Sequence, residues 1–141
     1  MQLNQATDYA FRVVLYLACV PGNIVSGQII AEQQNIPPQY LQKIMRSLAQ
    51  AGLVRSHRGS EGGFELLRPA GAITLLDVIV AMEGPICLNR CLAEQNSCSR
   101  CCSDVCTVHN ALGKIQDQFL LSLSQVNFED LANRKEGEVE K

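Results

Sequence analysis

The sequence contains no tryptophan, and aromatic residues make up only 5% of its 141 residues. A core built from this composition must consist mainly of aliphatic side chains. Charged residues reach only 18% while apolar residues reach 47%, which excludes an intrinsically disordered chain. The length suits one compact domain, or a small domain with an added oligomerisation element.

The sequence also lacks a hydrophobic run long enough to cross a membrane. The apolar segment 13–20 is far shorter than the roughly 20 residues that a bilayer span needs. Asp8 lies where a signal peptide would carry positive charge, and no small-residue cleavage pattern follows. We therefore expect a cytoplasmic protein without membrane contacts. In that reducing compartment, seven cysteines favour metal or redox chemistry over structural disulfides.

Acidic residues are absent from the segment 37–60, although the whole chain has a net charge of −2. The segment contains four basic side chains and one histidine: Lys43, Arg46, Arg55, Arg58 and His57. The two parts of the chain differ in charge, since residues 1–70 carry +2 and residues 71–141 carry −4. A basic patch on an acidic protein favours a nucleic-acid partner, and a merely solvated basic face is the alternative.

Hydrophobic spacing and turn residues predict three helices in the first part of the chain. The first helix covers 9–20 with Thr7 as its N-cap, and Cys19 lies in its apolar run as a buried core thiol. A short helix over 27–34 and a third helix over 38–50 follow, separated by an Asn-Ile-Pro-Pro turn.

Two short strands, 53–57 and 64–67, flank a glycine-rich turn and predict a β-hairpin. Three helices followed by such a hairpin is the order of a winged helix-turn-helix. A further helix is predicted over 74–82, where Thr74 and Asp77 have the spacing of a capping box.

The second part of the chain begins with a segment, 84–104, that has no periodicity and holds most of the cysteines. A long helix is predicted from 104 to 126. Its apolar residues form one continuous stripe: Val108, Leu112, Ile115, Phe119, Leu123 and Val126. The stripe could pack on its own domain, but the two-fold symmetry of palindromic DNA sites favours a dimer seam.

The predicted fold is therefore mainly α-helical with a small β-hairpin wing and a long C-terminal dimerisation helix. We expect a winged helix-turn-helix DNA-binding domain over 1–83 and a cysteine-rich, cluster-binding loop over 84–104. The dimerisation helix and a short terminal helix would occupy 105–135.

The second helix of a helix-turn-helix lies in the major groove, with its N-terminal residues at the base edges. Polar residues occupy these positions: Gln39, Tyr40, Gln42 and Lys43. Glutamine can pair with adenine, lysine can reach guanine or phosphate, and Arg46 one turn later fits a phosphate. Arg58 and Gly59 at the hairpin tip suit a narrow minor groove. Together with Arg55 and His57, these residues form the predicted DNA-binding set.

Six of the seven cysteines fall within residues 87–106: Cys87, Cys91, Cys98, Cys101, Cys102 and Cys106. His109 follows the last of them by three residues, so both side chains can share a helix face and one metal. The spacings within the pairs Cys87/Cys91 and Cys98/Cys101 suit structural zinc. Cys91, Cys98 and Cys106 with a fourth ligand suit an iron–sulfur cluster. Thiols that form disulfides on oxidation are the third interpretation.

Several stretches resemble the IscR/NsrR family of iron–sulfur transcription regulators, which also includes a cysteine regulator without a cluster. The matching stretches are MQLNQATDYAFRVVLYLA, PQYLQKIMRSLAQAGLVRSHRGSEGGFEL, ITLLDVIVAMEGP, CLNRCL followed by CTVH, and NFEDLAN. They cover nearly the whole chain. The resemblance implies a dimeric DNA-binding regulator without enzymatic activity.

The resemblance also implies that Cys91, Cys98 and Cys106 are cluster ligands. It matches His109 to the histidine that completes a two-iron cluster. It matches Asp8 to the carboxylate that helps to hold a four-iron cluster across the dimer. We favour His109 and a [2Fe–2S] cluster, because this residue lies one turn from a cysteine ligand. Asp8 with a [4Fe–4S] cluster is the alternative.

This chain departs from the family pattern at three points. The gaps between the cysteine ligands are six and seven residues, longer than the usual five of the family. Cys87, Cys101 and Cys102 are additional thiols. Gln42 stands where IscR-like proteins have a glutamate that helps to choose between DNA sites, so we expect a different sequence preference.

The sequence therefore predicts a transcription regulator, expected to be a repressor, that binds a palindromic double-stranded operator as a homodimer. The cluster state would control DNA affinity, with cluster supply, iron, oxygen, nitric oxide or redox state as the signal. A related regulator that uses zinc or thiol oxidation is one alternative. An iron–sulfur electron carrier is an alternative of another class, although it would not need the acid-free segment 37–60.

Overall fold

The computed structural model describes residues 2–93, 98–100 and 103–134. In chain order, the helices and strands are α1 (Gln5–Cys19), α2 (Gly27–Gln34), α3 (Pro38–Gln50), β1 (Val54–His57), β2 (Gly63–Leu66), α4 (Leu75–Glu83), α5 (Arg90–Ala93), α6 (Thr107–Ser124) and α7 (Phe128–Asn133). Single 3₁₀ turns at Ala70–Ala72 and Ser103–Val105 precede α4 and α6. Within these described ranges, no helix is long and apolar enough to cross a membrane.

The first helix forms the centre of the core, where Ala10, Val13 and Val14 have no exposed surface. It contacts α2, α3, α4 and α7. Aliphatic side chains dominate the core, as the composition predicts, and Phe128 is the one aromatic residue among the buried side chains of the described part. Three helices followed by a two-stranded hairpin are arranged around α1 in the order of a winged helix-turn-helix. This order confirms the predicted fold class.

The predicted N-cap of α1 is wrong by three residues. Asn4 caps the helix, since its Oδ1 accepts a hydrogen bond of 2.9 Å from the backbone N–H of Thr7. Thr7 itself is completely buried. Its hydroxyl oxygen lies 2.6 Å from Oε1 of Glu83, at the end of α4. Asn4 supplies the acceptor earlier in the chain, so the threonine hydroxyl bonds to another helix instead of capping its own.

Cys19 is exposed, so the prediction of a buried core thiol is also wrong. It is the last residue of α1 and follows Leu17 and Ala18, which face the core. Arg12, two turns earlier on the same side of the helix, is exposed as well. The apolar run is therefore wider than the face that α1 buries.

The helix-turn-helix agrees with its predicted boundaries. Ser26 caps α2, and the turn to α3 contains Asn35 in the left-handed conformation with φ 52° and ψ 50°. The N–H of Ile36 donates to the carbonyl of Ala31 over 2.9 Å and so closes the end of α2. Four apolar residues of α3 are buried against α1, α2 and α4: Leu41, Ile44, Met45 and Leu48.

The wing is an antiparallel hairpin in which Arg55 pairs with Glu65 and His57 pairs with Gly63. Val25, just before α2, adds a bridge to Phe64 with two backbone hydrogen bonds of 2.8 and 2.9 Å. A Cβ atom on Gly63 would lie 2.4 Å from the carbonyl oxygen of Val25. The hairpin is thus attached to the helix-turn-helix at a point where only glycine fits.

The C-terminal elements pack back on α1 and on the segment before α4. The predicted capping box of α4 is present, because Thr74 and Asp77 exchange the two expected hydrogen bonds. Thr74 also bridges Asn127, so α7 lies beside α1 and the 3₁₀ turn before α4. Helix α6 begins at Thr107, three residues later than predicted, because Ser103–Val105 form a separate 3₁₀ turn.

Candidate functional site

The exposed face of α3 carries the predicted DNA-reading side chains. All five are exposed: Gln39, Tyr40, Gln42, Lys43 and Arg46. The apolar residues between them are buried, so the helix periodicity separates a packing face from a polar face. The first turn of α3 has no side-chain cap, with Pro37 and Pro38 at its start. Pro38 has no backbone N–H, and the N–H of Tyr40 donates to the carbonyl of Pro37 over 3.0 Å. The start of α3 therefore offers the Gln39 N–H and the positive end of the helix dipole.

Two residues of α1 that sequence reasoning missed extend this face. The rings of Tyr9 and Tyr40 have centroids 6.4 Å apart. The guanidinium of Arg12 lies 5.3 Å from the centroid of the Tyr9 ring. The same guanidinium donates to the backbone carbonyl of Gln34 over 3.5 Å. Their spacing of three along α1 is visible in the sequence, but nothing in it indicates the contact with α3.

The wing tip presents Arg58 to solvent. Gly59 follows with φ 109°, a conformation that side-chain-bearing residues rarely adopt. A Cβ atom on Gly62 would lie 2.4 Å from the carbonyl oxygen of His57. The turn that projects Arg58 therefore depends on two glycines, which supports the interpretation of the glycine-rich segment as a tight hairpin turn.

The other two basic residues of the wing have an acidic neighbour. Nε2 of His57 lies 2.7 Å from Oε1 of Glu65, and Glu65 is paired with Arg55 across the two strands. Arg55 is exposed, while the side chains of His57 and Glu65 are 32% and 25% exposed. The predicted DNA-binding set thus includes one residue, His57, that is already hydrogen bonded within the wing.

Four cysteines of the second part lie within the described residues: Cys87, Cys91, Cys98 and Cys106. Cys106 is the N-cap of α6, and its Sγ accepts a hydrogen bond of 3.5 Å from the backbone N–H of His109. Cys91 lies in α5. All four of these cysteines are half-buried. The thiol of Cys87 donates to the carbonyl of Asn89 over 2.9 Å. Cys101 and Cys102, the other additional thiols, lie outside the described residues.

Helices α5 and α6 are in contact one turn after His109. A Cβ atom on Gly113 would lie 3.7 Å from Cδ2 of Leu92. This packing brings the helix that carries Cys91 to the end of α6 that carries Cys106. Within residues 2–93, 98–100 and 103–134, however, no three His, Cys, Asp or Glu side chains are close enough to hold one metal ion.

The histidine at this position has an unusual environment. Nδ1 of His109 is buried and has no hydrogen-bond partner among the described residues. A buried polar atom without a partner costs about 1–3 kcal/mol, and an imidazole nitrogen is a good ligand for iron or zinc. With the thiol of Cys106, which accepts a hydrogen bond from the backbone N–H of the same histidine, the residue types present fit a thiolate-and-imidazole metal centre.

Among the described residues, no contact joins Asp8 to Cys106 or His109. Its Oδ2 forms an ion pair of 2.6 Å with Arg12 one turn along α1, and both side chains are about half exposed. The carboxylate has a partner within its own helix, whereas the histidine nitrogen has none.

A carboxylate links the cysteine region to α1. Oε1 of Glu83, the last residue of α4, accepts hydrogen bonds from the backbone N–H of Asn4 at 2.9 Å and from the hydroxyl of Thr7. The Thr7 hydroxyl, followed by the Asn4 N–H, lowers the pKa of Glu83. Gly84 follows directly with φ 82°, and the cysteine-bearing segment starts there. The start of this segment is thus fixed to the N-terminus of α1.

Comparison with known proteins relates this architecture to one family. The Rrf2 family model, described as an iron-dependent transcriptional regulator, matches residues 3–134. A candidate HTH-type transcriptional regulator of Mycobacterium tuberculosis strain H37Rv is 41% identical over 87 residues, 61% of this chain and 54% of that protein. The chain therefore matches about half of the length of its curated relatives.

Solved structures match over a larger part. CymR of B. subtilis, the global cysteine regulator, has a TM-score of 0.78 at 28% identity over 96% of this chain and 99% of that chain. IscR of T. potens has a TM-score of 0.74 at 23% identity over 100% of this chain and 93% of that chain, which shows a shared fold. The relatives are transcription regulators and not enzymes.

Proposed function

The chain belongs to the Rrf2 family of transcriptional regulators, and on that premise we propose that it is a homodimeric repressor whose DNA affinity is controlled by an iron–sulfur cluster. An electron carrier, the other class considered from the sequence, does not account for this membership. The observation that carries the DNA-binding part is the exposed polar face of α3 beside a basic wing tip.

The proposed DNA contacts follow from the chemistry of the exposed side chains. Gln39 and Gln42 have amides that can pair with base edges in the major groove, and Lys43 and Arg46 can neutralise phosphates. The uncapped start of α3 adds the backbone N–H of Gln39 for a phosphate. Arg58 at the wing tip would enter the adjacent minor groove. A palindromic duplex is the expected site, because two-fold related subunits read two equal half-sites.

The proposed dimer seam is α6. Three of its apolar side chains remain largely exposed in the single chain: Val108 at 61%, Ile115 at 54% and Leu121 at 58%. Val108 and Ile115 belong to the predicted stripe, whereas Leu121 lies outside it. Leu112 and Phe119 of the stripe are half-buried, and α6 packs on α4. The apolar stripe of α6 is thus covered only in part by its own chain, and Val108 and Ile115 within it stay exposed. A second copy would cover these exposed residues.

The proposed cluster ligands are Cys91, Cys98, Cys106 and His109. The support is the buried, partnerless Nδ1 of His109, a residue whose backbone N–H donates to the sulfur of Cys106. A bound iron–sulfur cluster would supply iron centres whose loss or redox change alters the charge and order of this region. The protein's part is to hold the donors together at the start of α6 and to transmit their arrangement to the DNA-binding face.

The described contacts offer a route for that transmission. Glu83 connects the start of the cysteine segment to Thr7 of α1. Tyr9, two residues further, contacts Tyr40 in the first turn of α3. Helix α6 meanwhile connects the cysteines to the proposed seam. A change at the cysteines would shift both the spacing of the two recognition helices and the position of Tyr40, and DNA affinity would change only as far as the two arrangements differ in fit.

A second candidate is a regulator that responds through cysteine thiols without a cluster. It is favoured by the similarity to CymR and by the absence of a three-donor metal group among the described residues. Both candidates keep the DNA-binding role and differ in what occupies the cysteine region.

Purification without air distinguishes the two. We expect coloured protein with iron and acid-labile sulfide in comparable amounts, and a change in DNA affinity when the cluster is removed by a chelator. Colourless protein that cannot accept a cluster on reconstitution would overturn the cluster proposal. If its DNA binding then responded to thiol oxidants, the second candidate would hold.

A further inference from the structure

The outer face of the wing carries an acid among basic residues. In an antiparallel pair, residues opposite each other share a face, and alternate residues of one strand do so too. Arg55, His57 and Glu65 therefore lie on the same face of the hairpin. The opposite face holds Val54, which is buried, and Phe64 and Leu66, which pack against the core. The outer face takes no part in that packing.

Within the described hairpin, the carboxylate of Glu65 is the hydrogen-bond partner of His57. Its Oε1 lies 2.7 Å from Nε2 of His57, and its strand position is directly opposite Arg55. Partly exposed pairs of this kind contribute little to the stability of the fold. The stability of the hairpin comes from the packed face and from the bridge to Val25. The fold therefore has little need of an acid here.

The same acid has a large effect on a polyanion. Cations that neutralise phosphates supply most of the sequence-independent affinity for DNA. A carboxylate opposite the Arg55 cation opposes the approach of phosphates, and its hydrogen bond keeps the imidazole of His57 directed at the protein. Arg58 at the tip is outside this pairing and remains exposed.

We propose that Glu65 restrains the wing: it holds His57 and offsets Arg55, so that sequence-independent attraction to DNA stays low and discrimination between sites depends on Arg58 and α3. Glu65 is a positioning residue in this role, and the inference rests on the proposed DNA-binding function of the wing. It predicts that removal of the acid strengthens binding to all sequences and weakens the preference for the correct one.

Glu65→Gln tests this inference, because glutamine keeps the shape and a hydrogen-bond acceptor but removes the charge. Two probes are needed: a palindromic duplex selected from a randomised pool, and a random-sequence duplex. We expect binding to the random duplex to tighten by roughly 3- to 10-fold at low salt, with the ratio of the two affinities reduced. The slope of log affinity against log salt should steepen by about one phosphate contact, roughly 0.9.

Restraint through the two neighbours is separated from simple repulsion by a double-mutant cycle. In the Arg55→Ala, His57→Ala background, Glu65→Gln should have little effect, since no restrained cation remains. Glu61→Gln, at an exposed acid in the wing turn, should act equally in both backgrounds. An unchanged or weaker affinity of Glu65→Gln, or an effect that persists in full in the double-Ala background, contradicts the inference.

Failure of the wing assignment itself gives a different result. If Arg58→Ala and Glu65→Gln both bind like the parent on both duplexes, the wing does not contact DNA and the proposed function must be revised. If Arg58→Ala weakens binding while Glu65→Gln changes nothing, only the restraint by Glu65 is wrong. Circular dichroism and thermal unfolding of each variant establish that the hairpin remains folded.

Discussion

The fully buried side chains of the described chain lie between Thr7 and Ile79, with Phe128 as the one further member. Between residues 84 and 127, no described side chain reaches that degree of burial. The two regions are thus stabilised in different ways. The winged helix-turn-helix folds by burying aliphatic surface, whereas the cysteine region and α6 have half-buried thiols and exposed leucine, isoleucine and valine. The second region needs contributions from outside its own side chains, and a metal centre and a partner subunit are the two that its chemistry suits.

The largest expected effect concerns the metal centre. His109→Ala should abolish or strongly change the visible absorption of anaerobically purified protein, because it removes the one donor whose Nδ1 is buried without a partner. Asp8→Ala should keep a near-parental spectrum, because that carboxylate is paired with Arg12. Spectra at matched iron loading are the measurement. A normal spectrum for His109→Ala, together with a four-iron spectrum in the parent that Asp8→Ala destroys, would reverse the assignment.

The next prediction compares a buried residue of the winged helix-turn-helix with an exposed residue of α6. Leu48→Ala removes a side chain with no exposed surface and should lower the free energy of unfolding by about 2–5 kcal/mol in urea titrations. Ile115→Ala is the matched control, since this side chain is 54% exposed. It should change the stability of dilute, monomeric protein by less than about 0.5 kcal/mol and should weaken association at higher concentration.

If Ile115→Ala is as destabilising as Leu48→Ala at every protein concentration, α6 is stabilised by its own chain. If it changes neither stability nor association, the dimer seam lies elsewhere. Sedimentation of both variants over a range of concentrations separates these outcomes.

A smaller effect distinguishes the two parts of the DNA-binding face. Gln42→Ala should alter base preference by about 1–3 kcal/mol at the position that it reads. Arg58→Ala should weaken binding most where an A/T-rich minor groove faces the wing. Arg134→Ala, exposed after α7, removes the same charge away from the face and is the control. Binding across a panel of site variants is the measurement, and equal losses for Arg58→Ala and Arg134→Ala would contradict a specific wing contact.

How far the sequence predicts the molecule differs between the same two regions. Helices α2 and α3 begin and end at the predicted residues, because Ser26, the Asn-Ile-Pro-Pro turn and the apolar spacing of α3 are local signals. Thr7 and Cys19 are placed wrongly, since burial at the two ends of α1 depends on Glu83 and on which neighbours cover the helix. Such contacts join residues far apart in sequence, so periodicity does not contain them.

The candidate sites show the same limit. The exposed residues of α3 and the wing tip follow from local pattern, and the sequence predicts them. The contact of Tyr9 with Tyr40 and the pairing of His57 with Glu65 arise from tertiary packing and strand register. The cysteine ligand set stays a prediction, because spacing alone allows several donor combinations and Cys101 and Cys102 lie outside the described residues.

The smallest effect tests the contact that joins the two regions. Thr7→Val keeps the shape of a buried residue but removes the hydroxyl beside Oε1 of Glu83. We expect a loss of about 0.5–1.5 kcal/mol at neutral pH, as for a typical hydrogen bond. The pKa of Glu83 is lowered in the folded protein, first by this hydroxyl and then by the Asn4 N–H. Its contribution is therefore present above the ordinary glutamate pKa of the unfolded chain, and it is lost as the pH falls through the lower folded value. The difference in unfolding free energy between the parent and Thr7→Val should shrink over that acidic window.

Glu61→Gln, at an exposed carboxylate in the wing turn, serves as the control and should show no such convergence. A difference between the parent and Thr7→Val that is independent of pH would show that the threonine stabilises the protein by packing alone, and that the link between α4 and α1 does not depend on the charge of Glu83.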